Sequence, residues 1–269
     1  MLESLKRFLI GLLHAAYGIY AILAFLVAGS TALLLVLLPL GIRARRQVAH
    51  FTARAFFALA FMPVRLIDDR HLPPGPCVVV ANHASYLDGV VLKAALPARF
   101  SFVIKKEVSR VPLAGLMLRR IGSEFVDRFN RHAGAMDARR LLKAADSGQA
   151  LAFFPEGTFL EEPGLGKFHT GAFAIAARAD LPVVPISITG TRRILPSGRL
   201  LPRPGRIHVQ VLPPLAPMTG VEPSVATMAM RDQARSRILA ALGEPDLSEN
   251  DGIAELQARR SEVPPTGPT

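Results

Sequence analysis

Residues 8–42 form an apolar run without one Asp, Glu, Lys or Arg, and no other feature restricts the fold as strongly. His14 is its only titratable side chain apart from Tyr17 and Tyr20. Roughly 20 apolar residues let a helix cross a bilayer, so the run is longer than one span needs. Two layouts satisfy it: one tilted helix preceded by an interfacial piece, or a shallow helical hairpin turning near "AGST" with both ends on one side. A cleaved signal peptide would have an apolar core of ~7–15 residues, whereas here apolar sequence continues well past "LVAGS". Arg43, Arg45 and Arg46 come immediately after the run. By the positive-inside rule they keep the downstream domain in the cytoplasm. The expectation is a membrane anchor over residues 1–46 in the cytoplasmic (inner) membrane, with the remaining chain facing the cytoplasm. The next stretch, "RRQVAHFTARAFFALAFMP", suits a helix at the membrane surface or one packed on the adjoining domain.

The charge balance agrees with lipid contact. Lys and Arg total 32 against 21 Asp and Glu, a formal charge of +11, which favours anionic lipid surfaces or nucleic acid. Mean hydropathy is +0.31, high for a soluble protein. The sequence has no zinc-finger spacing, no basic block interleaved with aromatics and no Trp; lipid, not nucleic acid, is the expected partner. The only cysteine, Cys77, excludes an internal disulfide and reads as a small core hydrophobe.

Downstream, short β-branched runs recur: "VRLI", "CVVVA", "SFVI", "SEFV", "LAFF", "VVPISI" and "IHVQVL". Helix-like stretches separate most of them, among them "DGVVLKAAL", "VPLAGLMLRR" and "FHTGAFAIAARAD". This alternation predicts an α/β fold: a mixed, largely parallel sheet flanked by helices, with an N-terminal membrane-associated helical segment. The domain is expected over residues 47–243, closing with a helix ended by Gly243, and residues 244–269 read as a loose, proline-rich tail. Pro185 inside "VVPISI" points to a strand end or an edge. Polar clusters come after five of the strands: "NHASYLD", "KKE", "DR", "PEGTF" and "GTRR". Parallel strands would gather them at one carboxyl edge, implying one site.

His83 and Asp88 lie five positions apart in "NHASYLD". On a regular helix that spacing leaves side chains ~140° apart, so the pair works only if His83 sits on the junction after the strand and Asp88 opens the next helix. A carboxylate holding one imidazole N–H then fixes the tautomer, and the other nitrogen acts as general base. The plainer alternative is that Asn82, Ser85 and Asp88 merely cap that helix. In "FFPEGTF", a proline and a Glu-Gly-Thr turn after a strand can free backbone N–H groups to face a ligand.

"NHASYLD", "GSEFVDR", "FPEGT" and "VVPISITG" occur in this order over residues 64–212, and together they resemble the bacterial 1-acylglycerol-3-phosphate acyltransferases and related glycerolipid acyltransferases. The resemblance implies that His83 is the general base for an acceptor hydroxyl and Asp88 its orienting partner. The hydroxyl attacks an acyl thioester directly, with no acyl-enzyme. Gly122 and Arg128 match the block that helps hold the acceptor; Glu156, Gly157 and Thr158 match the third; Val184, Pro185 and Ile186 match the fourth, tied to acyl-chain or structural roles. Lys105 falls where such proteins place a phosphate-binding lysine. The implied partners are membrane lipids and an acyl carrier protein (acyl-ACP) or coenzyme A (acyl-CoA) thioester as co-substrate, with no other cofactor, no metal and no nucleic acid.

One residue departs from the pattern. Typical lysophosphatidate enzymes end the third block in an arginine, whereas position 159 is Phe. A lost charge-assisted contact to phosphate costs ~1.5–3 kcal/mol. Either Lys105, Arg128, Lys167 or the Arg192–Arg193 pair replaces it, or the acceptor is another lyso-lipid such as lyso-ornithine lipid. A hydrolase using water or Ser85, and a lipid-binding protein without catalysis, are the readings of another class; the first lacks a Gly-x-Ser-x-Gly elbow.

Overall fold

The computed structural model describes residues 2–127, 131–159 and 161–248. A 36-residue helix, α1 (Leu2–Leu37), runs unbroken through "AGST" and ends before Pro39. Of the two layouts, the hairpin turning near "AGST" is therefore absent, and the apolar run is one helix. One Gly and two small polar residues do not stop an apolar helix, whereas proline removes the next N–H and restricts the residue before it. The chain reverses over residues 38–41 into α2 (Ile42–Leu59), and the Tyr17 and Tyr20 hydroxyls donate to the carbonyls of Ala60 and Leu59.

Ala21, Ala24, Ala28 and Ala32 form the buried stripe of α1, while Leu12, Leu23 and Leu34 point outward. Small residues at helical spacing allow α2 to approach closely. The α2 face that meets them carries Ala49, Ala53, Phe56 and Phe57, all buried. The boundary expected after Arg46 thus falls within α2. Arg46 itself turns into the domain and donates to the carbonyls of Ile121, Arg99 and Gly122, so one charge of the basic cluster is a structural cross-brace.

The sheet has seven strands in the order β1-β7-β6-β2-β5-β3-β4. These are β1 (Val64–Ile67), β2 (Val78–Ala81), β3 (Ser101–Lys105), β4 (Glu124–Val126), β5 (Leu151–Phe153), β6 (Val183–Thr189) and β7 (Ile207–Val211). Every pair is parallel except β6 with β7. The helices are α3 (Asp88–Ala95), α4 (Ala114–Arg120), α5 (Arg131–Asp146), α6 (Gly171–Arg178), α7 (Thr191–Ile194) and α8 (Pro223–Leu242). Strand pleating sends Cys77, Val79 and Ala81 to the α1–α2–α3 face and Val78 and Val80 to the α5–α6–α8 face.

Pro185 is at neither an edge nor an end: it pairs with Val80 inside β6, between β2 and β7. Val183 N–H donates to Leu215, while the β7 ladder begins only at Ile186. Residue 185 shares that side by strand alternation, so the missing N–H coincides with a break in the pairing. Residues 244–248, where the loose tail was expected to begin, are tied down instead. Asp246 bridges Leu165 and ion-pairs with Arg235; the chain beyond 248 lies outside the described residues.

Candidate active site

β2 ends at Ala81, and the Asn82 side chain takes over the pairing: its Nδ2 donates to Ile188 O at 3.0 Å and its Oδ1 accepts from Ile188 N at 2.7 Å. The chain can then leave the ladder, which places His83 on the junction and Asp88 at the start of α3. His83 Nδ1 lies 2.9 Å from Asp88 Oδ2, and the same oxygen accepts the backbone N–H of Ala84 and of Ser85 at 2.6 and 2.8 Å. Asp88 therefore both orients the imidazole and caps the turn. The Asp88 side chain is fully buried and that of His83 is 19% exposed, an arrangement in which Nε2 is the nitrogen left to meet substrate.

Glu156 locks this loop from below. Its Oε1 accepts His83 N–H at 2.6 Å and its Oε2 accepts Gly166 N–H at 2.9 Å. Burial pushes its pKa up to about 7, with the Asp88 charge adding to the rise, against the opposing pull of the two N–H bonds and of Arg192. Gly157 has φ +79° in the turn beyond it.

A cavity of about 1100 Å³ opens at the imidazole and continues between α1, α2 and α3. His83, Tyr86, Lys105, Gly157, Thr158 and Phe159 line one part, and Phe25, Ala28, Ala32, Ala53 and Phe56 another. Such a volume is ample for a long apolar ligand. Lys105 is exposed within it and has no ion-pair partner among the described residues.

The structure gathers His83, Asp88, Lys105, Glu156, Gly157 and Thr158 around this cavity or directly beneath it, and separates the remaining candidates. Gly122 sits behind the wall at φ +69°, where an added Cβ would meet Ile42 Cδ1 at 2.9 Å; it lets α2 approach and does not line the cavity. Lys167 is exposed and away from the lining. Arg128 lies outside the described residues. Val184, Pro185 and Ile186 are buried in β6. The expectation of one site is also corrected: "GTRR" faces a second cavity, because the short turn of α7 after β6 carries Arg192 and Arg193 away. Ser85 is no nucleophile, being buried with its hydroxyl donating to Leu195 O at 2.7 Å.

Three contributions are not foreseen from the sequence, which marks Phe159 only as a departure from the expected arginine. Phe154 stacks on the His83 ring at 4.4 Å and Phe159 meets it edge-on at 4.7 Å, with Tyr86 against Phe159 in turn. The imidazole is thus clamped between apolar rings, and the residue standing where an arginine was expected forms part of its wall. The third, Lys93, is 8% exposed, lines the cavity and holds its ammonium over Phe102. Burial, aided by Arg46, lowers its pKa to about 8. A lone lysine within "GVVLKAAL" is the one sequence signal for it.

A family model described as Acyltransferase matches residues 63–189. Among curated relatives, a chloroplastic 1-acyl-sn-glycerol-3-phosphate acyltransferase of Brassica napus is 33% identical over 64% of this chain and 54% of its own length. A lyso-ornithine lipid O-acyltransferase of Pseudomonas aeruginosa is 32% identical over 66% of this chain and 72% of its own. The chain spans about half the length of the plant relatives it matches. The crystal structure of the 1-acyl-sn-glycerophosphate acyltransferase PlsC from Thermotoga maritima shares the fold, with a TM-score of 0.65 and 22% identity over 86% of this chain and 97% of that one.

Proposed function

The chain belongs to the Acyltransferase family, and on that premise we propose that it transfers a fatty acyl group from a thioester to the hydroxyl of a lyso-lipid. The carrying observation is the His83–Asp88 contact of 2.9 Å beside a cavity of about 1100 Å³. Asp88 accepts a hydrogen bond from Nδ1–H and stabilises the imidazolium that forms when Nε2 takes the acceptor's hydroxyl proton as its oxygen attacks the thioester carbonyl. The new C–O bond forms, the C–S bond breaks, and the imidazolium returns its proton to the departing thiolate. Phe154 and Phe159 hold the ring and shield it from water, which favours the lipid hydroxyl over hydrolysis.

The donor is an acyl carrier protein or coenzyme A thioester, whose chain enters the cavity between α1 and α2. Lys105 meets the anionic group of the acceptor, which we take to be 1-acylglycerol-3-phosphate. A second acceptor, lyso-ornithine lipid, is favoured by Phe159 at the position of the expected arginine and by the 72% coverage of the Pseudomonas relative.

α1 is long and apolar enough to cross a membrane, yet from Tyr17 to Leu37 it is docked on α2 and on α4, where Arg120 holds the carbonyls of Val36 and Leu37. Residues 2–16 supply about 22 Å of helix, short of the ~30 Å hydrocarbon thickness. On this reading α1 lies along the cytoplasmic surface of the inner membrane, outer face in lipid.

Purified full-length chain given acyl donor and lyso-lipid should form diacyl product. His83→Ala should lower the rate by ~10²–10⁴-fold at unchanged Tm. An undiminished rate in that variant, or fatty acid released at the same rate without acceptor, would overturn the assignment.

A further inference from the structure

The second cavity, of about 920 Å³, is lined by His14, Arg192, Arg193, Arg203, Arg206 and His208, with no Asp or Glu in its lining among the described residues. Arg192 is engaged, donating to Glu162 O at 2.8 Å and ion-pairing with Glu244. Arg193, Arg203 and Arg206 are exposed and form no side-chain hydrogen bond or ion pair with any described residue. Three arginines without a side-chain partner among the described residues line one concavity, concentrating positive charge that a bound anion can meet through charge-assisted, fork-shaped hydrogen bonds.

The frame that holds them is rigid. Arg203 N–H donates to Ile194 O at 2.8 Å, and at Gly190 an added Cβ would meet Arg206 O at 2.1 Å, so α7, the loop after it and the start of β7 are locked together. The backbone that carries the three arginines is thus held in place, which lowers part of the ordering cost of binding.

Its place in the molecule selects the anion. His14 belongs to α1, where Ile10, Leu12 and Leu13 are all exposed, and Leu200 on the adjoining loop is 86% exposed. Leu201 and Pro202 rest on α1 so closely that a Cβ at Gly18 would meet Leu201 Cβ at 2.8 Å. The basic concavity therefore opens along an apolar seam, as a lipid phosphate beneath its acyl chains requires. A concave seat fits a small headgroup better than the broad acidic face of a carrier protein.

We propose that this cavity seats the phosphate of an anionic membrane phospholipid, distinct from donor and acceptor, with Arg193, Arg203 and Arg206 as its ligands. The seat adjoins the catalytic loop, since Leu195, directly after α7, accepts the Ser85 hydroxyl. A headgroup held there sets the reacting edge at the lipid surface.

The test titrates the full chain in neutral detergent with dihexanoyl-phosphatidylglycerol, dihexanoyl-phosphatidylcholine, glycerol phosphate and inorganic phosphate, reading Tm and calorimetric affinity. Phosphatidylglycerol should bind saturably and more tightly than the other three. The triple variant R193Q/R203Q/R206Q should bind it weaker by about tenfold or more, with its lipid-free Tm unchanged because the three side chains are exposed. The matching R193K/R203K/R206K protein should recover most of the affinity, and it carries the test if the first variant unfolds. Equal affinity in wild type and the glutamine variant overturns the seat. Inorganic phosphate binding as tightly as the lipid overturns the lipid, and displacement of bound lipid by acyl carrier protein reassigns the surface to a protein partner.

Discussion

Glu156 holds two loops with one carboxylate, and its position sets a measurable pH dependence. Burial raises its pKa from 4.5 to about 7, so the folded chain keeps this proton where the unfolded chain has lost it. The folded state binds more protons between those values, and stability falls as pH rises through that window. Glu156→Gln removes the term. The stability advantage of wild type over the variant should shrink by roughly 2–3 kcal/mol between pH 5 and 7.5 in urea unfolding; parallel curves for the two proteins would refute it. His83, Asp88 and Glu156 are legible in the sequence because their chemistry depends on residue type and local spacing. The roles of Phe154, Phe159 and Lys93 become visible only in three dimensions: Phe159 stands out in the sequence as a missing arginine, but only the turn geometry aims it and Phe154 at the imidazole.

At the scale of elements, alternation of β-branched runs with helical stretches suffices to find all seven strands, because buried parallel strands are nearly continuous apolar runs. Pairing partners are not legible: Pro185 reads as an edge residue until the break between the Leu215 bridge and β7 is seen. The course of α1 is hidden for a similar reason, since its close approach to α2 depends on alanines scattered among larger apolar residues. Ala28 belongs to that stripe and also lines the cavity that opens at His83, which makes α1 a wall of the candidate site. Ala28→Phe should shorten the cavity at a stability cost of about 1–3 kcal/mol. The rate ratio of octadecanoyl to dodecanoyl donor should fall by about tenfold or more, since each methylene denied its pocket costs ~1–3 kcal/mol. A ratio equal to wild type would place the acyl chain elsewhere.

The whole molecule joins a charge of +11 to one apolar helix docked on the domain from Tyr17 onward, and the proposed surface-lying course of that helix can be tested directly. A helix crossing the membrane would carry its midpoint to the bilayer centre and its ends to opposite surfaces. A helix held against a domain that stays in water must keep all its outward residues near one surface, at a depth of ~5–10 Å. Leu12, Leu23 and Leu34 are exposed along α1 at 58%, 56% and 67% and serve as depth gauges when replaced singly by spin-labelled cysteine. The native thiol does not interfere: Cys77 is buried, and burial pushes its pKa up to about 11, which keeps it protonated and unreactive. In phosphatidylglycerol-containing vesicles the three labels should give similar immersion depths by oxygen and nickel-chelate accessibility. A label at position 23 near the bilayer centre, flanked by shallow labels at 12 and 34, would require α1 to leave α2 and cross, and would dismantle the cavity wall in which the proposed acyl-chain path runs.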